Sequence, residues 1–412
     1  MTSRSRARTW TIGDQVLSSL TNFAVSVLAA RQLSPEGFGS FALAMVLYFV
    51  AVGVTRALCG DVLLVRHSRN HTDEAALGSM SAAVGIGLVG ALLVVVVAVF
   101  ADADARPVLL ALAVTLPLLC LQDTLRFVFI AAARGEMAFA NDGVWAASQL
   151  VVLGTLVLWF DPTSWSLLLG WGLSAGVAAI VGLLQTSGWP APWRAWAWLD
   201  RGRDLWPRFL GEFAATMGAW QVVLLGVGGI AGLTTLAAIR GCQVVFGPLH
   251  VANIGARLIA VPEGARAEAD ARRAVVLAAR TALVLMALAA LWTLVLLVLP
   301  DAFGIALLGE TWPLTQGVLL PFGIFMAGEA AIFGAGIALR VLADAAAALR
   351  AALASATVLL LAGLSAAWFG DLSTIGWALA ASGVVGAIVW WAVVVCRTSF
   401  GEPQPVRPER KL

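Results

Sequence analysis

Residues 77–100 read LGSMSAAVGIGLVGALLVVVVAVF, a run of 24 residues without a single charge. An α-helix rises about 1.5 Å per residue, so such a run is long enough to cross the apolar core of a bilayer, which is about 30 Å thick. The run therefore predicts a helix that spans a membrane.

Apolar runs of this kind recur on both sides of it along the whole chain. Of the 412 residues, 60% are hydrophobic and only 12% are charged, about half the usual share. This composition excludes a large soluble domain and predicts an all-α polytopic membrane protein with about twelve transmembrane helices. We place the helices at 10–30, 38–60, 77–100, 107–130, 139–160, 164–185, 208–230, 235–257, 275–299, 314–339, 347–369 and 373–396.

The basic residues are distributed unevenly between the two sets of connections. Seventeen of them lie in the termini and the even-numbered connections, whereas the odd-numbered connections contain only Arg31 and Arg106 beside seven acidic residues. Under the positive-inside rule this difference predicts that both termini are cytoplasmic. The expected location is the cytoplasmic membrane, in a multi-pass arrangement.

The longest central connection has the composition of a segment at a membrane surface. Five tryptophans lie among three arginines in it, as in segments that lie among lipid headgroups. Six predicted helices precede it and six follow. We therefore expect a six-helix lobe at 1–188, an interfacial linker at 189–206, a second lobe at 207–400 and a cytoplasmic tail at 401–412.

Motifs for a bound cofactor or a catalytic centre are missing from the sequence. There is no GxxxxGK[ST] phosphate loop, and the histidines and cysteines lack metal-ligand spacing. Gly85, Gly87 and Gly90 spell GxGxxG, but they lie inside an apolar run, where small residues serve helix packing. We expect no cofactor, no metal, no nucleic-acid partner and no enzymatic activity.

Ionisable and amide side chains inside the predicted helices are the candidates for function, because such groups are costly at membrane depth. Arginines near a helix end can also reach the headgroups without any function, and Asp123 and Arg126, spaced i, i+3, can equally form a structural pair. Glu329, near the middle of the tenth helix, is least explained by structure alone. The substrate-binding candidates are Arg56, Arg126, Arg240, Asn22, Gln149 and Gln221, and the candidates for coupling or ion pairing are Glu329, Asp123 and Asp14.

The excess of arginine over carboxylate among these candidates favours an anionic substrate, since the guanidinium fork binds phosphate or pyrophosphate through two hydrogen bonds.

The chain also resembles a known family. The stretch Leu28–Ala42, LAARQLSPEGFGSFA, together with Gly13-Asp14-Gln15, resembles the start of the polysaccharide and O-antigen flippases, and LQDTLRF at 121–127 with Ala133-Arg134-Gly135 is similar to their fourth helix. The resemblance covers about residues 1–145. It implies the superfamily of multidrug, oligosaccharidyl-lipid and polysaccharide exporters, with two six-helix lobes around a central cavity and an alternating-access mechanism.

That superfamily includes a peptidoglycan-precursor flippase branch with cavity arginines on its first, second and eighth helices. Arg56 and Arg240 fall on the second and eighth helices here, whereas the first helix has only Arg31 at its outer end. The resemblance implies a flippase for a polyprenyl-pyrophosphate-linked saccharide, with membrane lipids and other polysaccharide-assembly proteins as candidate partners. The alternatives are a cation-coupled multidrug exporter of the same superfamily, a membrane glycosyltransferase or ligase, and a scaffold subunit of a sugar-assembly complex.

Overall fold

The computed structural model of the chain describes residues 3–67, 72–186, 188–249, 271–342 and 344–400. The side chains of 3–9, 11, 12, 14, 15, 67, 271–274, 399 and 400 fall outside this description. The predicted tail 401–412 and the second part of the predicted helix 235–257 also lie outside the described residues.

Within these ranges the chain forms twelve long helices and no strand. Ten of them are long and apolar enough to cross a membrane; the first helix has a charged start, and the eighth is shorter in its described part. The helices are α1 (Ser3–Gln32), α2 (Pro35–Arg66), α3 (Asp73–Phe100), α4 (Ala105–Ala131), α5 (Gly135–Trp159), α6 (Ser164–Leu184), α7 (Trp206–Ala231), α8 (Leu233–Val245), α9 (Ala271–Val298), α10 (Leu319–Val341), α11 (Ala345–Phe369) and α12 (Leu372–Phe400). The predicted all-α fold with about twelve long helices is confirmed.

Three predicted boundaries differ from the structure by at least five residues: α1 begins at Ser3 and not at 10, α2 extends to Arg66 and not to 60, and the third is the start of α10. The connection 300–313 contains a short helix, Asp301–Leu308, and a second one, Trp312–Gln316, so that α10 begins at Leu319 and not at 314. Gly317 separates the two helical pieces, and Pro321 lies in the first turn of α10. A proline is tolerated there because the first N–H groups of a helix have no partner within it.

The turn between α1 and α2 is as short as its sequence indicates. Ser34 caps α2 by accepting a hydrogen bond from the Gly37 N–H at 3.2 Å, and Pro35 occupies the first helical position. Both features are typical of helix starts, because they suit backbone groups that the helix leaves unpaired.

The chain divides into two compact units. The first comprises residues 1–245 and 299–317 and so includes α1 to α8; the second comprises residues 246–298 and 318–412 and includes α9 to α12. The predicted lobes at 1–188 and 207–400 are a different division, and they stay a prediction.

Small residues bring the helices of the first unit close together. A Cβ on Gly87 of α3 would stand 2.7 Å from the Pro117 Cα on α4, and one on Gly39 of α2 would stand 2.0 Å from the Leu233 carbonyl oxygen on α8. These contacts confirm that Gly87, within the GxGxxG sequence, serves packing between helices.

The segment 189–206 packs within the first unit, against α2 and α3, through polar and aromatic contacts. It contains the short helix Ala195–Arg201, and the Trp198 indole donates to the Leu58 carbonyl at 3.0 Å. Arg201 pairs with Glu74 at 2.9 Å. Arg66 pairs with Asp204, and this hydrogen bond holds the pKa of the Asp204 carboxyl below its ordinary value.

The second unit is built around α10. Gly323 faces Thr293 of α9, and Gly328 lies so close to α12 that a Cβ would stand 2.5 Å from the Gly383 backbone. The Trp391 indole of α12 donates to the Ala331 carbonyl at 3.0 Å. α10 is thus the helix on which α9 and α12 pack.

Candidate functional site

A local change of helix type places the first candidate arginine. α2 contains a π-helical turn, Arg56–Gly60, that begins at Arg56 itself. Such turns hold one residue more than an α-helical turn, and they occur frequently at functional sites. Gly60 allows the turn to lie against α4, since a Cβ there would stand 2.7 Å from the Phe127 ring.

Arg56 forms a bidentate ion pair with Asp123 of α4. Nε donates to Oδ2 at 2.8 Å and Nη2 donates to Oδ1 at 2.6 Å. The Arg56 side chain is nevertheless 44% exposed, whereas that of Asp123 is only 4% exposed. The Arg56 side chain is therefore partly exposed, while the carboxylate is enclosed by protein.

Arg126 lies deeper and has its own carboxylate. Its Nε is 3.3 Å from Oδ2 of Asp142 on α5, and its Nη1 is 3.9 Å from Oδ1 of Asp123. The Arg126 side chain is only 10% exposed. We call Arg56, Asp123, Arg126 and Asp142 the ion cluster; its two cations and two anions balance.

The spacing rule identified the weaker of the two pairs that Asp123 makes. The predicted i, i+3 pair with Arg126 exists at 3.9 Å, but the bidentate partner of Asp123 is Arg56, which lies on another helix. Both arginines are paired with carboxylates of the first unit.

Two amide side chains that sequence reasoning passed over extend the ion cluster. Gln122 Nε2 donates to Asp142 Oδ1 at 2.8 Å, and Asn141 Nδ2 donates to the Ala178 carbonyl of α6 at 2.7 Å. Both are buried. Their position directly before Asp123 and Asp142 in the sequence was the signal that could have identified them.

Two of the predicted polar residues, Gln149 of α5 and Asn22 of α1, lie near each other. Gln149 on α5 is buried and donates to the Thr21 carbonyl at 3.3 Å, next to Asn22 in the chain. The Asn22 side chain is half-buried and has no hydrogen bond among the described residues. α1 therefore positions an amide that is available to a ligand.

Gln221 on α7 is buried, and its Oε1 has no hydrogen-bond donor among the described residues. An unpaired buried oxygen of this kind costs about 1–3 kcal/mol, so a ligand that donated to it would stabilise the site.

Arg240 on α8 is a cation without a carboxylate partner in the described part of the chain. Its Nη1 donates to Gln243 at 2.8 Å, its Nη2 lies 3.5 Å from the Ser26 hydroxyl, and its Nε is buried without an acceptor. The guanidinium carbon lies 5.6 Å from the centre of the Phe49 ring, within the range of a cation–π contact. All of these partners are neutral, so the charge has no counter-charge among the described residues.

The remaining predicted residues are not joined to these groups in the described structure. Glu329 lies half-buried near the middle of α10 in the second unit, with no ion pair among the described residues. Asp14 falls on α1, and its side chain is outside the description. In the described ranges no three of the His, Cys, Asp and Glu side chains are placed to hold a metal ion.

Known structures share this fold. An inward-facing multidrug resistance MATE family transporter of the MOP superfamily aligns with a TM-score of 0.70 at 13% identity, over 94% of this chain and 98% of that chain. The lipid II flippase MurJ, in an inward closed conformation, aligns with a TM-score of 0.68 at 11% identity, over 94% and 87%. A MATE protein in complex with MaD3S aligns at 0.55 and 13%, over 96% of both chains. The chain thus has the same fold as these three proteins.

No protein-family model matches the chain, and comparison with curated protein sequences also gives no match. The shared fold and the ten apolar helices make it a multi-pass membrane protein.

Proposed function

We propose that this protein is a flippase that moves a polyprenyl-pyrophosphate-linked saccharide from the cytoplasmic to the outer leaflet of the membrane. The observation that carries the proposal is Arg240, a cation inside an apolar helix without a carboxylate partner among the described residues. Uncompensated charge at membrane depth is costly, and it is kept where it serves a ligand or an ion path. An anionic headgroup would supply the missing charge.

Arg56 supports the same substrate class. Its side chain is 44% exposed despite the position of the residue within α2, and this exposure supports access for a pyrophosphate. Arg126 is buried, and we assign it the role of holding the ion cluster behind Arg56. Asn22, Gln149 and Gln221 are the amides we assign to the saccharide.

The fold supports transport, since one of its solved examples is a lipid II flippase and another is a multidrug resistance transporter. The sequence of the α1–α2 turn adds the resemblance to polysaccharide and O-antigen flippases. In this mechanism the prenyl chain stays in the lipid, the site is exposed to the two sides in turn, and the energy comes from an ion gradient, the membrane potential or removal of the product.

The test is complementation of surface-polysaccharide export in a deletion strain. A charge-assisted hydrogen bond contributes about 1.5–3 kcal/mol, so we expect Arg240→Ala to reduce export roughly tenfold or more at normal membrane levels. Arg240→Lys keeps the charge but not the planar fork, and we expect an intermediate rate.

Arg280→Ala is the matched control for this experiment. Arg280 is an exposed arginine of a long apolar helix, α9, and it is not part of the proposed site. We expect full export from this variant. Full export by Arg240→Ala would remove the anionic-substrate argument.

A cation-coupled multidrug exporter is the second candidate, and Glu329 is the observation that favours it. A half-buried carboxylate in an apolar helix, with no ion pair in the described residues, can take up a proton or a cation. Under this alternative Glu329→Gln would abolish drug resistance in a sensitive strain, and Arg240→Ala would leave that resistance intact.

A further inference from the structure

We propose that Asp123 is an internal competitor of the substrate: its carboxylate occupies the Arg56 fork when no substrate is bound, and the substrate phosphate displaces it toward Arg126. This inference rests on the proposed function, because it requires an anionic substrate. It gives Asp123 a role in setting which anions bind and how tightly.

The first step is the geometry of the fork. Asp123 uses both Oδ atoms on Nε and Nη2 of Arg56, at 2.8 and 2.6 Å. A phosphate group binds a guanidinium through the same pair of parallel hydrogen bonds. The carboxylate and a phosphate therefore cannot both occupy this edge of Arg56.

The second step is the difference in exposure between the partners. The Arg56 side chain is 44% exposed and that of Asp123 only 4%. An incoming anion reaches the guanidinium from its open side, whereas the carboxylate stays enclosed by α2 and α4. The exchange consequently takes place on Arg56, with Asp123 retreating into the protein.

The third step is the destination of the displaced carboxylate. Nη1 of Arg126 is already 3.9 Å from Oδ1 of Asp123, one helical turn along α4. A rotation of the Asp123 side chain would shorten this contact, so the carboxylate would not be left as an unpaired buried charge. The Asp142 carboxylate keeps Arg126 in position through its Nε.

The exchange explains selectivity and release together. A neutral headgroup cannot displace a carboxylate from a guanidinium, whereas a pyrophosphate has more negative charge than the group it replaces. The retained carboxylate also repels the bound phosphate, which limits affinity. A transporter needs this limit, because a substrate that binds too tightly is not released.

The experiment measures binding of farnesyl pyrophosphate to the full-length protein in lipid nanodiscs by calorimetry, with farnesol as the neutral probe. In Asp123→Asn the substrate no longer has to break a charge-assisted hydrogen bond between Arg56 and a carboxylate. We therefore expect this variant to bind farnesyl pyrophosphate roughly tenfold more tightly than the wild type. Asp123→Glu restores the competing charge and should return the affinity toward the wild-type value. Unchanged or weaker binding by a well-folded Asp123→Asn protein would overturn the exchange.

Asp344→Asn is the matched control, since it removes a carboxylate that pairs with Arg397 in the second unit, whereas the ion cluster belongs to the first. We expect its affinity for farnesyl pyrophosphate to equal that of the wild type. If Asp123→Asn alone folds poorly, the double variant Asp123→Asn/Arg126→Gln removes one charge of each sign and should show the same gain.

The outcomes separate the two proposals. If the wild type binds farnesyl pyrophosphate but neither Asp123→Asn nor Asp123→Asn/Arg126→Gln binds it more tightly, the exchange is overturned and the flippase proposal stands. Absence of binding to the wild type and to both variants overturns the exchange and the anionic-substrate proposal together.

Discussion

Single glycines determine how closely neighbouring helices of the first unit approach each other. At Gly39 the α8 backbone occupies the space of a side chain: a Cβ would stand 2.0 Å from the Leu233 carbonyl oxygen. Gly154 on α5 is the opposite case, because a Cβ there meets nothing within 4 Å. The two positions form a matched pair for testing the packing.

We expect Gly39→Ala to destabilise the protein by roughly 1–3 kcal/mol or more, since backbone must move to make room for the methyl group. Gly154→Ala should be neutral or slightly stabilising, because alanine favours the helix more than glycine does. Thermal unfolding of both variants in the same detergent gives the comparison. Equal melting temperatures would show that α2 and α8 do not pack as described.

The candidate residues were predictable from the sequence one by one, but their partners were not. Arg56 and Asp123 stand out as charges in apolar runs, yet they are 67 positions apart, and no local rule joins them. The Asp123–Arg126 pair follows from helical spacing alone. Pairing between helices depends on their packing, which composition and periodicity do not determine.

At the scale of elements, apolar length located all twelve long helices over the described ranges, although the start of α1, the end of α2 and the start of α10 differ from the prediction by at least five residues. The signal is strong because a membrane span must pair its backbone internally and present apolar side chains to lipid. It failed at 300–316, where short helices with Gly309, Gly317 and two prolines follow no transmembrane period.

The linker is an element whose side of the membrane can be measured. Arg203 has an exposed side chain, so Arg203→Cys in a Cys396→Ser background should react with an impermeant maleimide only from the cytoplasmic side. The remaining cysteines, Cys59, Cys120 and Cys242, are buried and should not react.

Asp102→Cys, in the exposed α3–α4 connection, is the counterpart and should react only from outside. Labelling of Arg203→Cys from outside would refute the interfacial cytoplasmic position of 189–206.

At the scale of the whole molecule, the fold is shared with proteins that are only 11–13% identical in sequence. So little identity is enough because the fold depends on the lengths and order of apolar helices more than on individual residues. The sequence therefore predicted the fold class well. The chain passes from one compact unit to the other at residues 245–246, 298–299 and 317–318. These units are defined by contacts that the sequence pattern does not show.

An even number of crossings places both termini on one side. We expect a reporter fused after Leu412 to be active in the cytoplasm and the same reporter fused after Asp161, between α5 and α6, to report the outside. The charge asymmetry of the connections is the physical reason. Reports from the same side for both fusions would contradict the twelve-crossing topology.

Because of the π turn at Arg56–Gly60, the direction of the Arg56 side chain depends on the number of residues in the turn as well as on their identity. A single-residue deletion that restored a regular α-helix here would give the residues of the turn new directions, because each residue of an α-helix adds about 100° of rotation. The guanidinium would then be turned away from Asp123 although both residues were still present. In evolutionary terms, a one-residue gap at this point is a larger change than many substitutions, and relatives that share the site should also share the inserted residue.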